Sequence, residues 1–122
     1  MSCYNRSVVR ITDPLPTRTR GCCSPVAGPL DSAVADPLAD VFRALADPTR
    51  VQILHMLKAA SEPVCVCDLT AVFELSQPTV SHHLSKLREA GLIVSVRKGI
   101  WTFHSLAEPL PAAASAVVAL VP

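Results

Sequence analysis

The chain has 122 residues, 50% of them hydrophobic but only 4% aromatic, with a formal charge of +1 from 11 basic and 10 acidic residues. That length suits one domain with a modest core of Ala, Val and Leu, which a subunit interface would help. The overall charge points by itself to no polyanionic partner, and no nucleophile–base–orienter set, phosphate loop or catalytic carboxylate pair can be assembled, which argues against an enzyme.

Residues 1–30 read as a flexible N-terminal arm, because Pro14, Pro16, Pro25 and Pro29 disfavour a long regular element. Arg6, Arg10, Arg18 and Arg20 leave no apolar run for a secretory signal, and the C-terminal apolar stretch is too short to span a bilayer. A cytoplasmic protein without membrane contact is the expectation. Its 5 cysteines are then thiols or metal ligands rather than a disulfide framework. The arm carries an adjacent pair, Cys22-Cys23, whereas Cys3 is isolated and is given no role.

Residues 31–122 read as the folded domain. Asp36-Pro37 starts a first helix through Leu38, Val41, Phe42 and Leu45. Asp47-Pro48 starts a second, burying Val51, Ile53, Leu54 and Leu57, and Pro63 closes the loop after it. Asp68 to Phe73 forms a short third helix with Leu69 and Val72 inward, and Glu74-Leu75-Ser76 makes a tight turn.

Ser76 then caps a fourth helix, Gln77 to Glu89, whose first turn tolerates Pro78. Val80, Leu84 and Leu87 form its apolar stripe, and Gly91 stands at the position that ends a helix. The other face carries Gln77, Thr79, Ser81, His82, Ser85 and Lys86. With Ser76, these short hydrogen-bonding side chains suit a DNA major groove. His82 and His83 are adjacent and point apart, so one faces the groove and the other packs.

After Gly91 the period changes to two. Leu92, Val94 and Val96 alternate with Ile93 and Ser95. Arg97-Lys98-Gly99 makes a turn, and Ile100, Thr102 and His104 alternate with Trp101, Phe103 and Ser105. A helix-turn-helix followed by such a hairpin is a winged helix, with Arg97 and Lys98 placed to reach phosphate. From Leu75 to His104 there are four cations, Lys86, Arg88, Arg97 and Lys98, against Glu89 alone. The positive charge therefore gathers on the face that would meet DNA. Beyond Pro111, Ala112 to Val121 forms a terminal helix without a wide polar face, which suggests packing on a partner chain. Leu38, Val41 and Leu45 with Val117, Val118 and Leu120 are the candidates for that interface.

Cys65 and Cys67 are the second constellation. In a regular helix, residues two apart point about 200° away from each other and cannot share an ion. At a helix start they can, with Cys65 on the incoming loop and Cys67 in the first turn. The helix N-terminus should also lower a thiol pKa toward the thiolate that a metal needs. Two sulfurs rarely complete a soft-metal site, and Cys22-Cys23 offers a second pair. Three or four thiolates suit a thiophilic ion rather than calcium or magnesium.

Together these segments resemble the ArsR/SmtB family of metal-sensing repressors: Ala44-Leu45-Ala46-Asp47-Pro48-Thr49-Arg50, then Cys65-Val66-Cys67-Asp68-Leu69, then Leu75-Ser76-Gln77-Pro78-Thr79-Val80-Ser81-His82-His83-Leu84 and Leu87-Arg88-Glu89-Ala90-Gly91-Leu92. The resemblance covers roughly residues 36–106. It implies a homodimeric winged helix, mainly α with a small β-hairpin, that binds double-stranded operator DNA when apo and releases it on binding metal or metalloid. It also implies a dimer interface built by the first and last helices. The Cys65-Val66-Cys67-Asp68-Leu69 box looks like that of arsenite and antimonite sensors. Where some of these have a third cysteine, this chain has Thr70, and Cys22-Cys23 is similar to arm cysteines that other members recruit. The implied metal site is thus Cys22, Cys23, Cys65 and Cys67 with arsenite or antimonite as inducer. Cadmium, lead or zinc remain alternatives, as does thiol redox sensing. The family's zinc or nickel site on the last helix is excluded, since residues 110–122 hold no Asp or His.

Overall fold

The computed structural model describes residues 26–122, together with Thr12, Pro14 and Gly21. The Cys22-Cys23 pair, Cys3 and most of the proposed arm therefore lie outside the described residues. Residues 31–122 form one unit of five helices and a three-stranded sheet.

Helix α1 spans Ser32–Leu45 and starts earlier than Asp36-Pro37 suggests. Asp31 is the reason: its carboxylate accepts from the Ala33 N–H at 2.9 Å, and its carbonyl accepts from Ala35. Pro37 is carried inside the helix, where it removes one early backbone bond without ending the turn. Helix α2, Pro48–Ala59, has Asp47 as cap to the Thr49 and Arg50 amides at 2.8 and 3.3 Å, and it buries Ile53, Leu54 and Leu57. Val51 is half-buried against the same core.

Strand β1 is only Val64–Cys65, and α3 follows at once as Val66–Phe73. Leu69 is buried as expected, but Val72 is exposed, because so short a helix turns only one side to the core. Glu74 closes α3 in the left-handed region, φ 53, and accomplishes the tight turn. Helix α4 is Gln77–Glu89, with Val80, Leu84 and Leu87 buried. A helix of 13 residues is marginal alone. Burying each of these side chains stabilises it by roughly 1.5–3 kcal/mol. After Ala90, Gly91 takes φ 78 while the Leu92 N–H reaches the Leu87 carbonyl at 3.0 Å and the Gly91 N–H that of Arg88 at 2.9 Å. That double bond pattern is a Schellman stop, and it needs a residue tolerant of positive φ.

Strands β2, Ile93–Lys98, and β3, Trp101–Leu106, form the hairpin, and β1 adds to the far side of β3, giving the antiparallel order β1-β3-β2. Lys98 pairs with Trp101, so Arg97 and Lys98 belong to the strand and the turn is Gly99-Ile100. The alternation holds within the strands, with Ser95 opposite His104 and Val96 opposite Phe103. At its start Leu92 and Ile93 are both buried, because Leu92 still belongs to the helix stop.

Helix α5 is Ala112–Ala119, shorter than Ala112 to Val121. Its end is tied to α2 by Lys58 Nζ, which donates to the Val118 carbonyl at 3.0 Å and to that of Val121, and by His55 Nδ1, which donates to the Pro122 carbonyl at 2.7 Å. Val41 and Val118 are in the protomer's own core, so they are not free for a partner. The apolar side chains left exposed on α1 and just after α5 are Val34, Phe42 and Leu120. No helix among the described residues is long and apolar enough to cross a membrane.

Candidate nucleic-acid interface and thiol pair

On α4 the cap is made by Ser76, whose hydroxyl lies 2.9 Å from the Thr79 hydroxyl and accepts from the Thr79 amide at 3.4 Å. At about 100° per residue, Thr79, His82 and Lys86 share one stripe, and Gln77, Ser81 and Ser85 share a second, centred well over 90° further round the helix. Gln77, Thr79, His82 and Lys86 are exposed, whereas Ser81 and Ser85 are half-buried on the flank. Lys86 stands 3.6 Å from Glu89 across an exposed turn, a pairing too weak to tie up the cation. His83 turns the other way, with its Nδ1 3.4 Å from Arg50. Arg50 itself donates from Nε to the Ala44 carbonyl at 2.6 Å, so the α1 end, α2 and α4 meet at one guanidinium.

The wing is joined to α4 by residues that sequence reasoning did not single out for this. His104 is buried, and its Nδ1 is 2.7 Å from the Ser95 hydroxyl. Arg88 reaches Ser95 and Ser85 at 3.5 and 3.4 Å. Burial, then the Arg88 charge, holds the His104 pKa below its ordinary value. The available signal was parity: His104 shares the inward alternation, and a buried imidazole needs a partner. At the tip, Arg97 and Lys98 occupy successive strand positions and so opposite faces of the ribbon. Arg97 Nε donates to the Gly99 carbonyl at 3.2 Å.

Cys65 is the N-cap of α3 and Cys67 lies in its first turn. The extended backbone at Cys65, φ −78 and ψ 150, overcomes the helical divergence and brings the two sulfurs to 2.8 Å, with the Cys67 thiol donating. Asp68 steadies the turn by accepting from the Cys65 N–H at 3.0 Å. Cys65 is buried and Cys67 exposed. The expected lowering of the thiol pKa is overturned at Cys67. Its hydrogen bond to Cys65, then desolvation and the Cys65 and Asp68 charges, push it upward, against the pull of the backbone amide. Two thiolates on one tetrahedral ion at about 2.3 Å stand roughly 3.8 Å apart, so a small side-chain rotation would open this pair into a two-sulfur chelate. Thr70 donates to the Cys67 carbonyl at 2.9 Å. Among the described residues no group of three or more His, Cys, Asp or Glu is placed to hold a metal ion. A third sulfur would have to come from outside them.

Residues 47–95 match the family described as bacterial regulatory protein, arsR family. The arsenic resistance transcriptional regulator ArsR1 of Pseudomonas putida is 45% identical over 71 residues, 58% of this chain and 55% of that protein. The cadmium resistance transcriptional regulatory protein CadC homolog of Staphylococcus aureus is 40% identical over 78 residues, 62% of this chain and 64% of that protein. The chain thus spans less than two thirds of the length of either relative. A solution structure from Mycobacterium bovis, a homodimeric winged helix-turn-helix DNA-binding domain described as a possible ArsR-family transcriptional regulator, superposes with a TM-score of 0.61. It is 30% identical, and the match covers 79% of this chain and 86% of that one.

Proposed function

The chain belongs to the ArsR family of bacterial regulatory proteins, and on that premise we propose that it is a metalloid-responsive transcriptional repressor. In this reading an apo homodimer holds operator DNA and releases it when arsenite or antimonite is captured by cysteine thiolates. The observation that carries it is the Cys65–Cys67 pair, 2.8 Å apart at the cap of a helix whose other end turns directly into α4. Two copies of α4 enter successive major grooves, about 34–36 Å apart. Gln77, Ser81, His82 and Ser85 face base edges there, Ser76, Thr79 and Lys86 help fix the helix, and Arg97 and Lys98 hold phosphate. Val34, Phe42 and Leu120 supply apolar surface for the dimer.

The thiol pair supplies two sulfurs, and Cys22 and Cys23 are proposed to complete the site. Drawing Cys65 and Cys67 onto a shared centre disturbs the cap that Asp68 steadies, and α3 passes the change to α4 through their mutual packing. A coupling of a few kcal/mol between the two sites is enough to matter. Cadmium, lead or zinc is the second reading, favoured by the cadmium-resistance relative and by the presence of two cysteine pairs. The test is release of a fluorescently labelled operator, measured with arsenite, antimonite, cadmium, lead and zinc side by side. Release by the metalloids at lower concentration than by the divalent ions supports the first reading; the reverse order supports the second. No release by any of them sinks both.

A further inference from the structure

The wing ends in an apolar tip. Gly99, φ 61, and Ile100 form the two-residue turn between Lys98 and Trp101. Positive φ at the first position alone is the II′ pattern, which asks for glycine there and makes no demand for a large apolar residue at the second. Yet Ile100 is 86% exposed and Trp101 50%. The whole hairpin, Ile93 to Leu106, contains Arg97 and Lys98 and no carboxylate. These two cations sit on opposite faces of the ribbon, so they flank the tip on both sides. β2 is also continuous with the DNA-facing helix through the Arg88–Ser95 contact. An apolar point between two cations, on a ribbon that itself carries no acid and with Glu62 beside the Lys98 side nearer its base, fits a narrow groove with anionic walls.

We propose that Ile100 is a wedge that enters the DNA minor groove next to the recognition helix, with Trp101 against the sugar wall, so that the wing reads how easily the flanking base steps deform. The proposal rests on the DNA-binding reading above. Apolar side chains that enter the minor groove partly unstack a base step. The cost is least at flexible pyrimidine–purine steps such as TA and CA, so a wedge creates preference at positions where no hydrogen bond is made. Arg97 and Lys98 would neutralise the phosphates on the two groove walls without adding sequence information.

Trp101 is the only tryptophan in the chain, so its fluorescence reports the tip alone. The full-length apo protein is titrated with a duplex of about 30 base pairs, long enough for two half-sites, selected by the protein from random DNA. Anisotropy of an end-labelled copy reports binding separately. Acrylamide quenching of Trp101 should fall about twofold or more in the saturated complex. Ile100→Ser should lose about tenfold in affinity for duplexes with a TA step at the flank and little for duplexes with rigid flanks, a difference the size of one mismatched position. Arg97→Ala should weaken both alike. Saturated binding with Trp101 still fully quenchable, or an Ile100→Ser protein that keeps the TA preference, overturns the wedge and leaves the repressor reading intact. Equal protection by phosphatidylserine vesicles without DNA also overturns it. Absence of duplex binding overturns the repressor reading and the wedge together.

Discussion

Cys67 is the side chain whose chemistry separates the candidate inducers. Its hydrogen bond to Cys65, assisted by desolvation and nearby negative charge, pushes the thiol pKa above its ordinary value, so the proton is held more firmly than on a free cysteine. A divalent cation must expel that proton to solvent, and its affinity should climb with pH by about tenfold per unit for each proton displaced. Arsenite, As(OH)3, exchanges each As–OH and S–H for As–S and water, so no net proton is released and its affinity should stay nearly flat. Calorimetric titrations with arsenite and cadmium between about pH 6 and pH 8 distinguish the two, and parallel slopes would contradict this account. The raised thiol was not legible in the sequence, because it depends on where the neighbouring sulfur points. His104 makes a second prediction. Burial first, then Arg88, sets its folded pKa below the free value of 6.5, so the unfolded chain binds a proton first on acidification. Its share of stability is complete above the unfolded value and is lost as pH falls through the window beneath it. Urea denaturation of His104→Gln should show a flatter acid limb than wild type.

Among the elements, α4 was the most legible, since its cap, stripe and stop all agree: Ser76, then Val80, Leu84 and Leu87, then Gly91. Gly91→Ala tests that stop. It would place a Cβ at φ 78 and 3.1 Å from Pro111 Cγ, so both backbone and packing resist it. The left-handed conformation alone costs roughly 1–2 kcal/mol for a residue with a side chain. A loss of that size should lower Tm by about 4–8 °C per kcal/mol in a domain of this length. An unchanged melting curve would show that the turn relaxes. Other boundaries were read poorly for definite reasons. Pro37 looks like a helix start, but Asp31 offers a better cap one turn earlier. β1 has two residues and no period to detect. Arg97-Lys98-Gly99 resembles a turn by composition, whereas a two-residue II′ hairpin needs only Gly99 and its neighbour.

At the scale of the whole molecule, the family and the winged-helix architecture were readable from ordered motifs, whereas which apolar side chains the protomer leaves free for the proposed partner was not. Val41 and Val118 follow the apolar pattern of an interface, yet they fill the protomer's own core; periodicity cannot say which chain covers a stripe. Val34, Phe42 and Leu120 remain exposed. Phe42→Glu should therefore shift sedimentation from dimer toward monomer and weaken operator binding with it, while the far-ultraviolet circular dichroism stays the same. A dimer intact in that variant would move the interface elsewhere. The central claim is that the Cys65–Cys67 pair governs DNA release without touching DNA. Its most direct test is operator affinity of Cys65→Ser and Cys67→Ser, each measured with and without arsenite. The account predicts apo affinities within about threefold of wild type, since neither sulfur needs to reach DNA. Replacing exposed Cys67 is worth roughly ±0.5 kcal/mol, and buried Cys65 is exchanged for a side chain of nearly its own shape. The account also predicts little release at arsenite concentrations that free the wild-type complex. Release at the wild-type arsenite concentration by either variant would contradict it.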